Sequence, residues 1–100
     1  MEEARRLADK GRFDEAAEAC EEHLRQHGPS AAAFYLLGLV HDASGRLADA
    51  ERCYRKALYL DPAHGDTLAH LALLMDRQGQ YADAEVMRNR ARRLASRVTP

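Results

Sequence analysis

Residues 57–79 read ALYLDPAHGDTLAHLALLMDRQG, two apolar runs on either side of an Asp-Pro break. A proline pushes the residue before it out of the α region. One helix therefore ends near Leu60, and a second, more apolar one begins just beyond Pro62. A single break of this kind fits any helical hairpin. Whether the chain repeats it decides the fold.

It does repeat. Gly11, Gly45 and Gly79 are evenly spaced and mark out a 34-residue period. Two residues after each comes a bulky apolar side chain (Phe13, Leu47, Tyr81), three further on an alanine (Ala16, Ala50, Ala84), and four beyond that Cys20, Tyr54 and Arg88. In the middle copy Phe34, Leu37, Gly38 and His41 form one helical stripe, and Leu47, Ala50, Tyr54, Ala57 and Leu58 form another. Gly45 between them supplies the left-handed residue that ends the first helix. Small residues at Gly38 and Ala50 imply that the two helices approach closely. The spacing predicts helices near 2–10, 14–27, 31–44, 47–60, 65–78 and 81–97.

Composition narrows the function. The chain has 100 residues, of which 31% are charged, with a formal net charge of −1. No global field draws it to nucleic acid or to a membrane surface. The charge is uneven: residues 1–30 carry eight acids against five bases, while residues 86–100 carry five arginines and no acid. The two cysteines lack the dense spacing of a disulfide scaffold and point to a reducing compartment. No run approaches the roughly 20 apolar residues of a bilayer span, and the acidic, amphipathic start MEEARRLADK is unlike a secretion signal. A soluble, cytoplasmic protein without membrane insertion is expected.

The set Phe34, Leu37-Gly38, Gly45, Ala50, Tyr54, Ala57 and Pro62 in a 34-residue unit resembles the tetratricopeptide repeat. The third unit fits through Leu68, Leu71, Ala72, Gly79, Tyr81, Ala84 and Ala91, and departs at Arg88, where a large apolar residue is usual. The first unit is weaker: His23 replaces a small residue, and its opening helix is cut short at Met1, which suits an excised fragment. The resemblance implies an all-α fold, with three tandem helix-turn-helix units stacked as a short right-handed solenoid. Residues 1–100 then form one domain, with units near 1–30, 31–64 and 65–97.

Such arrays are lined on their concave face by the first helix of each pair, and the family binds peptides or helices there. The expected groove residues are Arg5, with Ala8 and Asp9, then Tyr35, Leu36, Leu39 and Asp42, then Asp66, Ala69, His70, Leu73, Asp76 and Arg77. The run AAAFYLLGLV (31–40) is apolar around most of its circumference. One reading sandwiches it between neighbours; the other makes Tyr35, Leu36, Leu39 and Leu73 an apolar floor for a partner segment. Asp42, Asp66 and Asp76 are then expected to form an acidic rim that favours a basic or amphipathic ligand, and Leu39→Asp is expected to abolish docking. The family's carboxylate clamp would fall on Met1, Arg5, Leu36, Asp66 and His70, of which only Arg5 suits a carboxylate, so that use is disfavoured.

Other constellations carry less. Cys20, His23 and His27 share one helix at metal-ligand spacing, but no fourth ligand accompanies them and two sit at packing positions, so no metal is expected. His41 and His70 have no nucleophile placed beside them, and the glycines are single helix terminators rather than a phosphate cradle, so neither catalysis nor a cofactor is expected. The arginines of RNRARRLASR (88–97) lack interleaved aromatics. They suit the exposed end of a stack better than nucleic acid.

The wording YLLGLVHDASGRLADAERCYRKALYLDPAHGDTLAHLALLMDRQG, followed by RNRARRL, resembles the C-terminal repeat region of bacterial chemotaxis-type receptor methyltransferases, in particular those of Wsp-like surface-sensing pathways. That resemblance implies the docking or regulatory tail of an enzyme that uses S-adenosylmethionine to methylate receptor glutamates. It transfers no methylation residue, because nothing here matches a cofactor-binding unit. Its partners would be a chemoreceptor, a pathway protein or the enzyme's own catalytic domain. The competing expectations are a free-standing adaptor or secretion-type chaperone, and a dimerisation module.

Overall fold

The computed structural model describes residues 1–98. Six helices follow one another: α1 (Glu2–Asp9), α2 (Phe13–His27), α3 (Ala31–Ala43), α4 (Leu47–Leu60), α5 (Gly65–Arg77) and α6 (Tyr81–Val98). No strand occurs among the described residues. The bounds lie within one residue of those expected from the repeat spacing, because each boundary has a local cause. At Gly45, φ is +81°, the left-handed turn between α3 and α4 that a side chain would strain. Asp61 is extended ahead of Pro62 and ends α4, and its carboxylate accepts the Ala63 amide at 3.0 Å. The first helices of pairs two and three open on equivalent caps. Ser30 Oγ accepts the Ala33 amide at 3.1 Å, and one repeat further on His64 Nδ1 receives the Thr67 amide at 3.4 Å.

The helices pack as consecutive pairs, α1/α2, α3/α4 and α5/α6, each leaning on the next to form a helical-repeat solenoid with extents of 36 × 31 × 21 Å. The buried side chains accordingly form two clusters rather than one centre. Ala4, Leu7, Ala16, Ala17, Cys20, Leu36, Leu37, Val40 and Cys53 join the first pair to the second. Ala50, Tyr54, Leu71, Ala72, Leu74, Met75 and Ala84 join the second to the third. Leu39 packs against both. Gly38 is small because Tyr54 lies over it: a Cβ there would stand 2.5 Å from Tyr54 Cε1. No helix among the described residues is long and apolar enough to cross a membrane.

Candidate functional site

The first helices α1, α3 and α5 carry the expected groove residues. Arg5, Asp66, Ala69, Leu73 and Arg77 are exposed, and Tyr35, Leu39, Asp42, His70 and Asp76 are half-buried. Leu36 is not part of an open floor. The residue is only 5% exposed, because most of it turns into the first core cluster, and only its edge reaches the hollow described next. The apolar run 31–40 is therefore explained mainly by its neighbours, which cover Ala33, Leu36, Leu37 and Val40.

Two hollows lie along these helices. One, of about 390 Å³, is lined by Arg5, Ala8, Asp9, Phe13, Leu36, Leu39, Val40 and Ala43. The other, of about 370 Å³, is lined by Asp42, His70, Leu73, Asp76 and Arg77. Phe13, Val40 and Ala43 were not among the expected groove residues. The same repeat step that places Arg77 in the second hollow places Ala43 in the first, so the signal was present.

The acidic rim expected at Asp42, Asp66 and Asp76 is largely neutralised. Tyr54 donates its hydroxyl to Asp42 Oδ2 at 3.1 Å, and Arg77 Nη2 donates to Asp42 Oδ1 at 2.6 Å. Arg88 Nη1 donates to Asp76 Oδ2 at 2.5 Å, and the same guanidinium holds Glu85. The two arrangements are one device in successive repeats, since Asp76 follows Asp42, and Arg88 follows Tyr54, by one full period. A second-helix residue reaches across its own pair to fix a first-helix carboxylate. Arg88 keeps that role in place of the usual large apolar side chain. Of these three rim acids, only Asp66 keeps an exposed carboxylate with no ion pair among the described residues.

Between α3 and α5 the aromatic rings gather. The Tyr35 ring lies 5.2 Å from that of His64 and 5.4 Å from that of His70, which stands edge-on to it. His70 Nδ1 is 2.9 Å from the Asp66 carbonyl and 3.3 Å from the Tyr35 hydroxyl. Burial, reinforced by Asp66, pushes the Tyr35 phenol up, and burial with Asp42 does the same to Tyr54. Both remain O–H donors near neutral pH, able to hold a conformation but not to act as bases.

The remaining reactive side chains are structural. Cys20 and Cys53 are free and buried, and burial pushes the Cys20 thiol up to about 11. A thiol this reluctant to ionise is a poor nucleophile and a poor metal ligand. The rings of His23 and His27 sit 4.5 Å apart on α2, while Cys20 of the same helix is fully buried in the core. Among the described residues no three His, Cys, Asp or Glu side chains gather to hold a metal ion. His41 lies away from the hollow between α3 and α5, where its Nδ1 accepts from Arg46 Nε at 3.1 Å. Of the arginines of α6, Arg88 and Arg92 share Glu85, and Arg90 donates to the Pro62 carbonyl at 3.2 Å.

Comparison with known proteins agrees with this geometry. Over 93 residues, 93% of its length, the chain is 49% identical to the probable biofilm formation methyltransferase WspC of Pseudomonas aeruginosa. It spans about a fifth of that relative, 22%. MamA of Desulfovibrio magneticus superposes with a TM-score of 0.90 at 23% identity, over 97% of this chain and 55% of that one. The Yersinia enterocolitica type III secretion chaperone SycD, in complex with a peptide of the translocator YopD, superposes with a TM-score of 0.84 at 21% identity, over 91% of this chain and 70% of that one. The family described as Tetratricopeptide repeat matches residues 1–65, and a second model of the same description matches residues 53–86. With its fold, its repeat period and these matches in agreement, the chain belongs to the tetratricopeptide repeat family, and it resembles the repeat tails of Wsp-type methyltransferases.

Proposed function

We propose that this chain is a protein-interaction module, the docking or regulatory tail of a chemotaxis-type, WspC-like methyltransferase, and that its concave face holds a segment of a protein partner. The observation that carries the groove is the exposure of an apolar side chain where a helical stack has no structural need of one. Leu73 is 56% exposed in the hollow that it lines with Asp42, His70, Asp76 and Arg77. Likeness to WspC supports the signalling context, and the peptide seated on SycD supports a peptide-sized ligand for this fold. The partner is then a receptor, another protein of the pathway or the enzyme's own catalytic domain, and the site of action is the cytoplasm. The module itself carries no chemistry.

Leu39 is a poor probe of this reading, because it packs against both core clusters. Leu73 is a better one. Titration of the chain with purified receptor cytoplasmic fragment, and separately with the methyltransferase catalytic domain, is expected to show binding to one of them. Leu73→Asp is expected to weaken that binding about tenfold, or roughly 1.4 kcal/mol, with the unfolding midpoint unchanged. Equal affinity of Leu73→Asp and the parent chain would sink the groove, and no binding to either fragment would rule out the receptor and the catalytic domain as its partners.

A further inference from the structure

The two hollows of the concave face are the same place in consecutive repeats. Shifting Ala8, Leu36, Leu39 and Ala43 by one repeat gives Asp42, His70, Leu73 and Arg77, which line the second hollow. Two cups of nearly equal size therefore stand one repeat apart, the first with Arg5 and Asp9 among mostly apolar side chains and the second with Leu73 among charged and polar ones. The first has fewer polar side chains because the chain departs from its own repeat there. Ala8 stands where the later units have Asp42 and Asp76, and Cys20 stands where they have Tyr54 and Arg88 to hold those acids.

In the second cup the accessible charge is positive. The side chain of Asp42 is only 13% exposed and already accepts from Tyr54 and Arg77, whereas the Arg77 side chain is 54% exposed. Arg77 gives Nη2 to Asp42, and its other N–H groups have no acceptor among the described residues. A guanidinium with spare donors in a fixed fork recognises a carboxylate. Asp76 is likewise tied to Arg88, so it does not offset Arg77 freely.

We propose that the segment bound in this groove pairs a large apolar side chain, seated in the Ala8–Leu36–Leu39–Ala43 cup, with a carboxylate that reaches Arg77. The inference rests on the groove reading above and specifies its ligand as apolar and acidic, where the sequence led to the expectation of a basic or amphipathic one. Neighbouring packed helices lie about 10 Å apart, and an extended chain advances about 3.3 Å per residue. The two side chains are therefore about three residues apart in the ligand.

The test is a display library of random dodecapeptides panned on the whole chain, followed by fluorescence polarisation of the enriched peptides. They are expected to share Leu, Met, Phe or Trp near an Asp or Glu at about that spacing. Arg77→Gln, which removes the charge without placing an acid against Asp42, is expected to weaken them about tenfold. Ala43→Phe, which plugs the first cup from an exposed helix end, is expected to do the same. Replacing the peptide acid by Lys should lose the parent chain and regain Arg77→Glu, with each variant's unfolding midpoint confirming that it folds. Peptides weakened by Leu73→Asp but indifferent to Arg77→Gln and Ala43→Phe overturn the apolar–acidic rule and leave the groove standing. Peptides indifferent to all three overturn both, and a library that enriches nothing overturns the rule, because it contains many sequences that satisfy it.

Discussion

Gly38 shows how little freedom a single position has in this stack. Its hydrogen faces the ring of Tyr54, which is fully buried and hydrogen-bonded to Asp42, so the ring cannot swing aside. Helix propensity alone would favour Ala over Gly by about 1 kcal/mol. The clash reverses that preference. Gly38→Ala is expected to destabilise the chain by about 1–3 kcal/mol, read as a lower urea midpoint at constant m-value. A variant as stable as the parent would show that α3 and α4 have room to separate. The residues that escaped a reading by groove position, Tyr54 and Arg88, belong to this scale too. Each lies on a second helix, yet its polar end reaches a first-helix aspartate twelve residues back.

At the scale of elements, α3 is held by its ends as much as by its faces. It is apolar on most sides and carries no acid in its first turn, so its N-terminal amides depend on Ser30. Ser30→Ala is expected to cost about 1 kcal/mol, measured by thermal unfolding. His64 performs the equivalent task for α5 with a ring nitrogen in place of a hydroxyl. No propensity scale favours His there. What made it readable was its position, one repeat after the serine that caps the preceding unit. Helix α6 shows how the repeat can exchange apolar positions for charged ones. Arg88, Arg92 and Glu85 form an ion-pair set where the middle unit has Tyr54, Leu58 and Glu51.

Over the whole molecule, stability is the sum of pairs and the contacts between neighbouring pairs, and one of those contacts senses pH. Arg46 donates from Nη1 to Asp14 of the preceding pair at 3.0 Å and from Nε to His41 Nδ1 at 3.1 Å. Burial, then Arg46, lowers the pKa of His41 below its ordinary value, with Arg52 adding to that and Asp49 and Glu21 opposing it. The folded form therefore binds this proton less readily than the unfolded chain does. Its contribution is complete above the unfolded value of about 6.5 and is lost as pH falls below it. Thermal midpoints are expected to decline between about pH 7 and 5, and His41→Gln is expected to flatten the decline. A parent chain whose midpoint is level across that range would show that protonated His41 is tolerated at the joint between the first two pairs.

The sequence by itself determined the helices, their order and their pairing. Proline, left-handed glycine and capping residues act within a few positions of where they stand, and a regular repeat restates every local signal in each copy. It also picked out many of the first-helix side chains that line the two hollows, because helical spacing fixes which side chains share a stripe. Only the tertiary structure decided what those faces present. Leu36 turns into the core, Asp42 and Asp76 are tied down by Tyr54, Arg77 and Arg88, and Arg77 is left as the accessible charge of the second hollow. Charge and exposure depend on partners brought in from other helices. A carboxylate counted along the chain is an acid; in this fold, two of the three expected on the rim, Asp42 and Asp76, are already halves of ion pairs.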